Sequence, residues 1–335
     1  MKWYPWLRAP FEQLISQYQA GRGHHALLVH ALPEMGDDAL IYAICRWLMC
    51  QHPQGNKSCG ECHSCQLMQA ETHPDSYNIL LEKGKSTIGV DVIREITEKL
   101  YSHSQQGGNK VIRIAQADKL TEAAANALLK TLEEPPVKTW FFLSCREPAH
   151  LPATLRSRCL SWHLAPPVES FSRAWLARET QQPADSLTAA LRLSGGSPPA
   201  ALHLLEPTLW KQREKMSDSL STACDSGDML ALLSEFNHDD AIRTLDWLCS
   251  LLLDAIKYRQ GATDWLTNND HLPLVIKLTQ QGSPALLHSL LHTWFKCRET
   301  LLNVVGVNRE LILTETLLTW ERLMQPGSMI PSHPI

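Results

Sequence analysis

The chain has 335 residues, enough for two or three domains with substantial cores, and its 44% hydrophobic and 20% charged residues suit a soluble globular protein. A net charge of −4 and a pI of about 6.4 give no global basic field, which argues against a stand-alone nucleic-acid-binding protein. Residues 1–8 carry no apolar signal-peptide core and no stretch is long enough to cross a bilayer, so the expected location is cytoplasmic, where the ten cysteines stay reduced.

The first half alternates β-rich runs with helical patterns, as a parallel α/β sheet requires. Residues 26–30 (ALLVH) form the first predicted strand, and residues 38–50 the first clear helix, with Ala39, Leu40, Ala43, Ile44 and Trp47 at helical spacing. Between them, Ala31-Leu32-Pro33-Glu34-Met35-Gly36-Asp37-Asp38 stands where a phosphate-binding loop would belong. A working loop ends in Gly-Lys-Ser/Thr, so that backbone N–H groups and an ammonium cradle phosphates while a hydroxyl holds magnesium. Here those positions are Asp37 and Asp38, carboxylates that satisfy the helix dipole and repel an incoming anion.

Next come Cys50, Cys59, Cys62 and Cys65, spaced C-x8-C-x2-C-x2-C. Two C-x2-C steps plus a more distant cysteine can wrap one tetrahedral zinc, and Pro53, Gly55, Asn56 and Gly60 supply the turns. An iron–sulfur cluster is the rival, but its cysteine run needs a fourth member shortly downstream, and position 69 is Gln. His52 and His63 are nearby, though four thiolates already complete a shell. With no position left for water, the zinc is expected to be structural, one per chain. Cys45, Cys145, Cys159, Cys224, Cys249 and Cys297 fall in apolar runs and are expected to pack rather than react.

Residues 77–81 (YNILL), 111–115 (VIRIA), 140–144 (WFFLS) and 160–164 are the further strand candidates. Ahead of the run at 140 lies a helix with Thr121 as N-cap and Ala125, Leu128, Leu129 and Leu132 as its stripe, ended by Pro135-Pro136. Ala165-Pro166-Pro167 marks a boundary. Beyond it, helices at 171–179 and 185–193, a Gly195-Gly196-Ser197-Pro198-Pro199 break and another short helix make a small domain. From 208 onward the pattern is almost wholly helical, for example 241–259, 284–304 and 310–324, with a loose Pro-rich tail from Pro326. The expected division is 1–166, 167–207 and 208–335.

The altered loop, the cysteine knuckle, residues 126–136 (NALLKTLEEPP) and residues 155–159 (LRSRC) together resemble bacterial clamp-loader subunits of DNA polymerase III, a branch of the AAA+ ATPases. The resemblance runs from about Trp6 to Arg322. It implies an AAA+ domain with an inserted zinc module, a small helical lid, and an all-α collar that assembles a ring. Active members carry a loop like G-x-x-G-x-G-K-T; here Ala31 and Glu34 replace glycines, only Gly36 remains, and Asp37 and Asp38 replace Lys and Thr. The Asp-Glu pair that holds magnesium and polarises water in those members falls at Ala115 and Gln116, and their lid arginine falls near Pro199. The resemblance therefore implies no bound ATP and no intrinsic activity, in a subunit of a DNA-directed DNA polymerase (nucleotidyltransferase) holoenzyme.

Ser157-Arg158-Cys159 matches the motif that supplies an arginine finger in trans, so Arg158 is implied to face the ATP of a neighbouring motor subunit. Arg146 and Arg156 are expected to be structural or rim residues. The implied partners are ATPase subunits of gamma/tau type, a delta-type clamp-opening subunit, and, through the complex, the sliding clamp and primer-template DNA used in replication. Two other readings compete. An active AAA+ ATPase requires Lys and Thr after Gly36; a zinc-dependent DNA-binding module requires basic residues around the knuckle, which offers Lys57 beside Glu61 and His63. Lys83, Lys85 and Arg94 are expected to form a solvated face.

Overall fold

A computed structural model describes residues 1–304 and 306–325, in two compact units, Met1–Pro167 and Val168–Ile335. The expected loose tail from Pro326 lies outside the described residues.

Unit one is built on five parallel strands: β1 (Ala26–Ala31), β2 (Ser76–Ile79), β3 (Lys110–Ile114), β4 (Thr139–Cys145) and β5 (Leu160–Leu164), in the order β2-β3-β4-β1-β5. Its helices are α1 (Arg8–Gln19), α2 (Asp37–Met49), α3 (His63–Gln69), α4 (Val90–Leu100), α5 (Glu122–Glu133) and the single turn α6 (Ala153–Arg156). The apolar runs are continuous because the central strands are covered on both faces. Along β1 and β4, Leu27, Val29 and Phe142 enter one core with Leu14, Leu40 and Ile44. Ala26, Leu28, Phe141 and Leu143 alternate into the other, with Ile93, Leu128 and Leu132.

All five strand expectations hold, with two trimmed ends, since the run expected at 111–115 stops at Ile114. The run expected at 77–81 stops pairing at Ile79, opposite Ile114 where β3 also ends, and Leu80 is exposed. As an edge strand, β2 has no second neighbour to continue its ladder. The Thr121 cap forms as read, its hydroxyl accepting from the Ala124 N–H at 3.2 Å.

Unit two is helical: α7 (Glu169–Glu179), α8 (Ala184–Leu193), α9 (Pro198–Leu204), α10 (Pro207–Ser226), α11 (Leu233–Phe236), α12 (Ala241–Arg259), α13 (Leu272–Gln281), α14 (Pro284–Asn303) and α15 (Arg309–Met324). Pro199 lies buried in the first turn of α9, whose N-cap Ser197 accepts from Ala200 N–H. Two buried charges tie the loop between α12 and α13 to the helices. Arg213 grips Asp270 at 2.6 and 3.0 Å and Asn268 at 2.9 Å. Asp254 accepts from the backbone N–H groups of Thr267 and Asn268 and from Lys257. A charge survives burial only with this degree of pairing.

Candidate functional site

The cysteine cluster forms where α2 ends and α3 begins. Cys50 follows the last residue of α2, Cys62 is the N-cap of α3, and Cys65 sits in its first turn. The four Sγ atoms all lie within 4.8 Å of one another, with Cys50 and Cys59 at 3.5 Å and Cys59 and Cys65 at 3.9 Å. A tetrahedral shell with 2.3 Å bonds puts its sulfurs about 3.8 Å apart, so the four thiols fit a single ion. A multi-iron cluster would spread them further.

The loop geometry serves that shell. Gly60 holds φ 80°, which turns the chain between Cys59 and Cys62. Backbone N–H groups of Cys59, Cys62 and Cys65 point at the sulfurs of Cys50, Cys59 and Cys62, at 3.3, 3.4 and 3.4 Å. Such donors favour thiolate: the Cys62 and Glu61 N–H groups draw Cys59 down to about 6, while burial pushes Cys65 up to about 12. Four thiolates this close repel unless protons or a cation compensate, and a divalent ion does so. The module is pinned to the domain by Ser64 Oγ donating to Met49 O (2.6 Å), Tyr42 OH to Met68 O (2.9 Å) and Trp47 Nε1 to Gly55 O (2.9 Å). The other cysteines pack as expected: Cys45, Cys145, Cys224, Cys249 and Cys297 are buried, Cys159 is partly so, and burial raises the pKa of each.

The altered loop sits at the carboxyl edge of the sheet, from the end of β1 to the start of α2. Gly36 is the N-cap with φ 88°, and a side chain there would meet Tyr4 and Leu7. Glu34 holds a left-handed φ of 63°, a backbone region that favours glycine. Trp6 Nε1 donates to Met35 O at 3.0 Å, so the N-terminal segment lies against the loop.

Arg146, expected to be a structural or rim residue, is placed against the loop. In the register of β1 with β4, His30 faces Cys145, so the next residue of β4's chain arrives beside Ala31. There Arg146 Nη1 lies 2.9 Å from Asp37 Oδ1 and 3.2 and 3.1 Å from the carbonyls of Ala31 and Leu32. Asp37 is 2% exposed. Its carboxylate is paired within the loop by the arginine, and the loop's exposed carboxylates are Glu34 and Asp38. Ala115 and Gln116 follow β3 immediately and offer no carboxylate; the nearby Asp118 accepts from Arg146 N.

Arg158 lies at the opposite, amino edge, two residues before β5. Its Nε donates to Glu133 Oε1 at 2.7 Å, its Nη2 pairs with the same oxygen, and its Nη1 donates to Thr154 O at 2.6 Å. Glu133 ends α5, where a cation also complements the helix dipole. Arg156, on α6, is exposed. Lys85 pairs with Glu82 and Arg94 approaches Asp91, all exposed, as a solvated face would.

Comparison with known proteins gives one consistent answer. Residues 7–168 match the DNA polymerase III delta subunit family, 167–206 the AAA+ ATPase lid domain of DNA polymerase III subunit delta', and 207–322 the C-terminal part of the delta subunit family. The chain is 55% identical to DNA polymerase III subunit delta' of Escherichia coli K12 over 99% of both chains. It is 54% identical to that of Yersinia pestis, over 99% of this chain and all of the other. With Haemophilus influenzae the figure is 36%, over 94% of this chain and 95% of the other. With its parallel sheet, cysteine knuckle and helical second unit, the chain belongs to the family of DNA polymerase III delta' subunits.

Proposed function

We propose that this chain is the ATP-silent subunit of a DNA polymerase III clamp loader, a cytoplasmic ring that places the sliding clamp on primed DNA during replication. Its three parts are the AAA+ domain, lid and helical collar, over 1–166, 167–207 and 208–335. The observation that carries silence is the Asp37–Arg146 pair: the place of the phosphate-binding lysine holds a buried carboxylate, tied across the loop by an arginine. Ala115 and Gln116 leave magnesium without ligands, and Pro199 cannot act as a lid arginine. The test is nucleotide binding and magnesium-dependent hydrolysis by the purified chain. Neither is expected, and hydrolysis by a clean preparation would overturn the reading.

Cys50, Cys59, Cys62 and Cys65 would hold one structural Zn2+, which when bound cross-links the α2–α3 junction and offers no open position for catalysis. Elemental analysis should find about one zinc per chain, and Cys62→Ser should lose it while the rest of the sheet domain stays folded. Finding iron instead would refute the assignment.

Arg158 would act in trans, its guanidinium offered to the γ-phosphate of ATP held by a neighbouring gamma/tau-type ATPase subunit. A relative named DNA polymerase III subunit tau/gamma, 34% identical over 43% of this chain, supports a common architecture for the two partners. A delta-type clamp-opening subunit would complete the ring, with clamp and primer-template DNA contacted through the complex. What supports the Arg158 role is its place at the sheet edge opposite the closed loop, partly exposed at 31%.

A further inference from the structure

Arginine carries five N–H donors in a rigid plane. In Arg158, Nε and Nη2 are engaged by one oxygen of Glu133, and one N–H of Nη1 by Thr154 O. Two donors are left among the described residues, one on each Nη. The guanidinium is thus gripped on two sides by protein acceptors while its remaining donors stay available. A free arginine on a surface turn samples many rotamers, and that freedom is lost whenever it must meet one phosphate oxygen in one geometry.

Both anchors are themselves held. Thr154 belongs to α6, which packs on α5 and buries Leu155 completely. Glu133 is the last residue of α5, whose end is fixed by His25 Nε2 meeting Leu132 O at 2.8 Å and by Glu134 N–H donating to Lys130 O. Pro135 and Pro136 stop the helix there, so the carboxylate is presented at a defined height above the sheet edge. The Glu133 side chain is 48% exposed. An ion pair that open to water adds little to folding stability, so removing it is expected to leave the fold intact.

We propose that Glu133 is a positioning residue for Arg158, orienting the guanidinium so that its remaining donors face the phosphate of the adjoining subunit. This rests on the reading of Arg158 as a residue acting in trans. Glu133 never touches the nucleotide; it restricts the rotamers and the plane of the group that does. Its chemistry must be that of a hydrogen-bond acceptor at glutamate's reach, because Nε and Nη2 converge on one Oε1.

The test uses the reconstituted clamp loader carrying wild-type chain, Glu133→Ala, Glu133→Gln, Arg158→Ala, or Glu133→Ala with Arg158→Ala. DNA- and clamp-stimulated ATP hydrolysis is resolved into kcat and KM, with zinc content and urea midpoint of each variant measured in parallel. Glu133→Ala should lower the rate at the site Arg158 serves by roughly tenfold, in kcat rather than KM, because orientation and not ATP affinity is lost. Glu133→Gln, which keeps an acceptor of the same length, should recover much of that rate. The double variant should be no slower than Arg158→Ala alone.

If Arg158→Ala turns over at the wild-type rate, the trans role fails and the positioning role with it. If Arg158→Ala is slow but Glu133→Ala matches or exceeds wild type, the trans role stands and the positioning role is overturned. A loss in the double variant that adds to that of Arg158→Ala, or a matching fall in urea midpoint, would show that Glu133 acts through the fold and overturn it equally.

Discussion

Two edges of one sheet carry the same chemical pair and use it in opposite ways. At the carboxyl edge, Asp37 and Arg146 join the start of α2 to the end of β4, and the carboxylate is sealed at 2% exposure. At the amino edge, Glu133 and Arg158 join the end of α5 to the turn before β5, and both side chains reach solvent. In the first pair, Arg146 spends one nitrogen on Asp37 and two loop carbonyls, all within its own chain. In the second, Arg158 engages Glu133 and Thr154 through all three of its nitrogens. The arginines are exposed to a similar degree, 38% and 31%, so what separates the pairs is the carboxylate: Asp37 is sealed, and the Glu133 side chain is 48% exposed.

The sharpest way to break this contrast is Arg158→Ala in the reconstituted complex. Arginine fingers are worth on the order of a thousandfold or more at the site they serve. In the proposed ring, where other sites would retain their own, total stimulated hydrolysis should fall partially while ring assembly and zinc content persist. Lysine at 158 should rescue poorly, since it keeps the charge and loses the fork. Clamp loading at the wild-type rate would erase the functional difference between the two edges.

Stability gives the reverse ranking. Arg146→Ala strands a buried carboxylate, and breaking such a pair costs roughly 3–5 kcal/mol when both partners are enclosed. Arg146 is itself 38% exposed, which lets water in and reduces the expected loss to about 2 kcal/mol. Glu133→Ala, at the open edge, should cost no more than about 0.5 kcal/mol. Urea unfolding of the two variants measures both. Equal losses would mean that burial does not separate the pairs.

Much of this was readable along the chain, and the limits are physical. The strands announced themselves because both sheet faces are covered, so apolar runs such as ALLVH and WFFLS are unbroken. The cysteine cluster is legible because its members are local, C-x8-C-x2-C-x2-C closing on one point. Helix α4 was passed over although Ile93, Ile96 and Leu100 mark its stripe at i, i+3 and i+7. Neither arginine–carboxylate pair could be found that way. Asp37 and Arg146 are 109 residues apart and meet only through the β1–β4 register. Arg158 and Glu133 are 25 apart on separate elements. The same holds for Arg213 with Asp270, 57 residues apart in the second unit. Asp37 and Asp38 at the end of the loop are legible from sequence; the arginine that pairs with Asp37 is not.

The smallest expected effect returns to the carboxyl edge. His30, on β1 one residue before Ala31, stacks on His163 of β5 at 4.4 Å, and the strand register places them opposite each other. Burial, and then the charge of His163, hold the pKa of His30 below its ordinary value of 6.5. A histidine whose folded pKa is depressed binds its proton more readily in the unfolded chain. Its contribution to stability is therefore complete above the unfolded pKa and is lost as pH falls through 6.5 towards the folded value and below it. Urea midpoints compared at about pH 7.5 and about pH 5.5 should fall with acid in the wild type, and fall less in His30→Gln. His163→Gln should remove only the repulsive share, leaving the part due to burial, and added salt should shrink that share further because the pair is partly solvated. If His30→Gln and wild type lose stability in parallel, the histidine pair contributes nothing to the carboxyl edge, and the closure there rests on Asp37 and Arg146 alone.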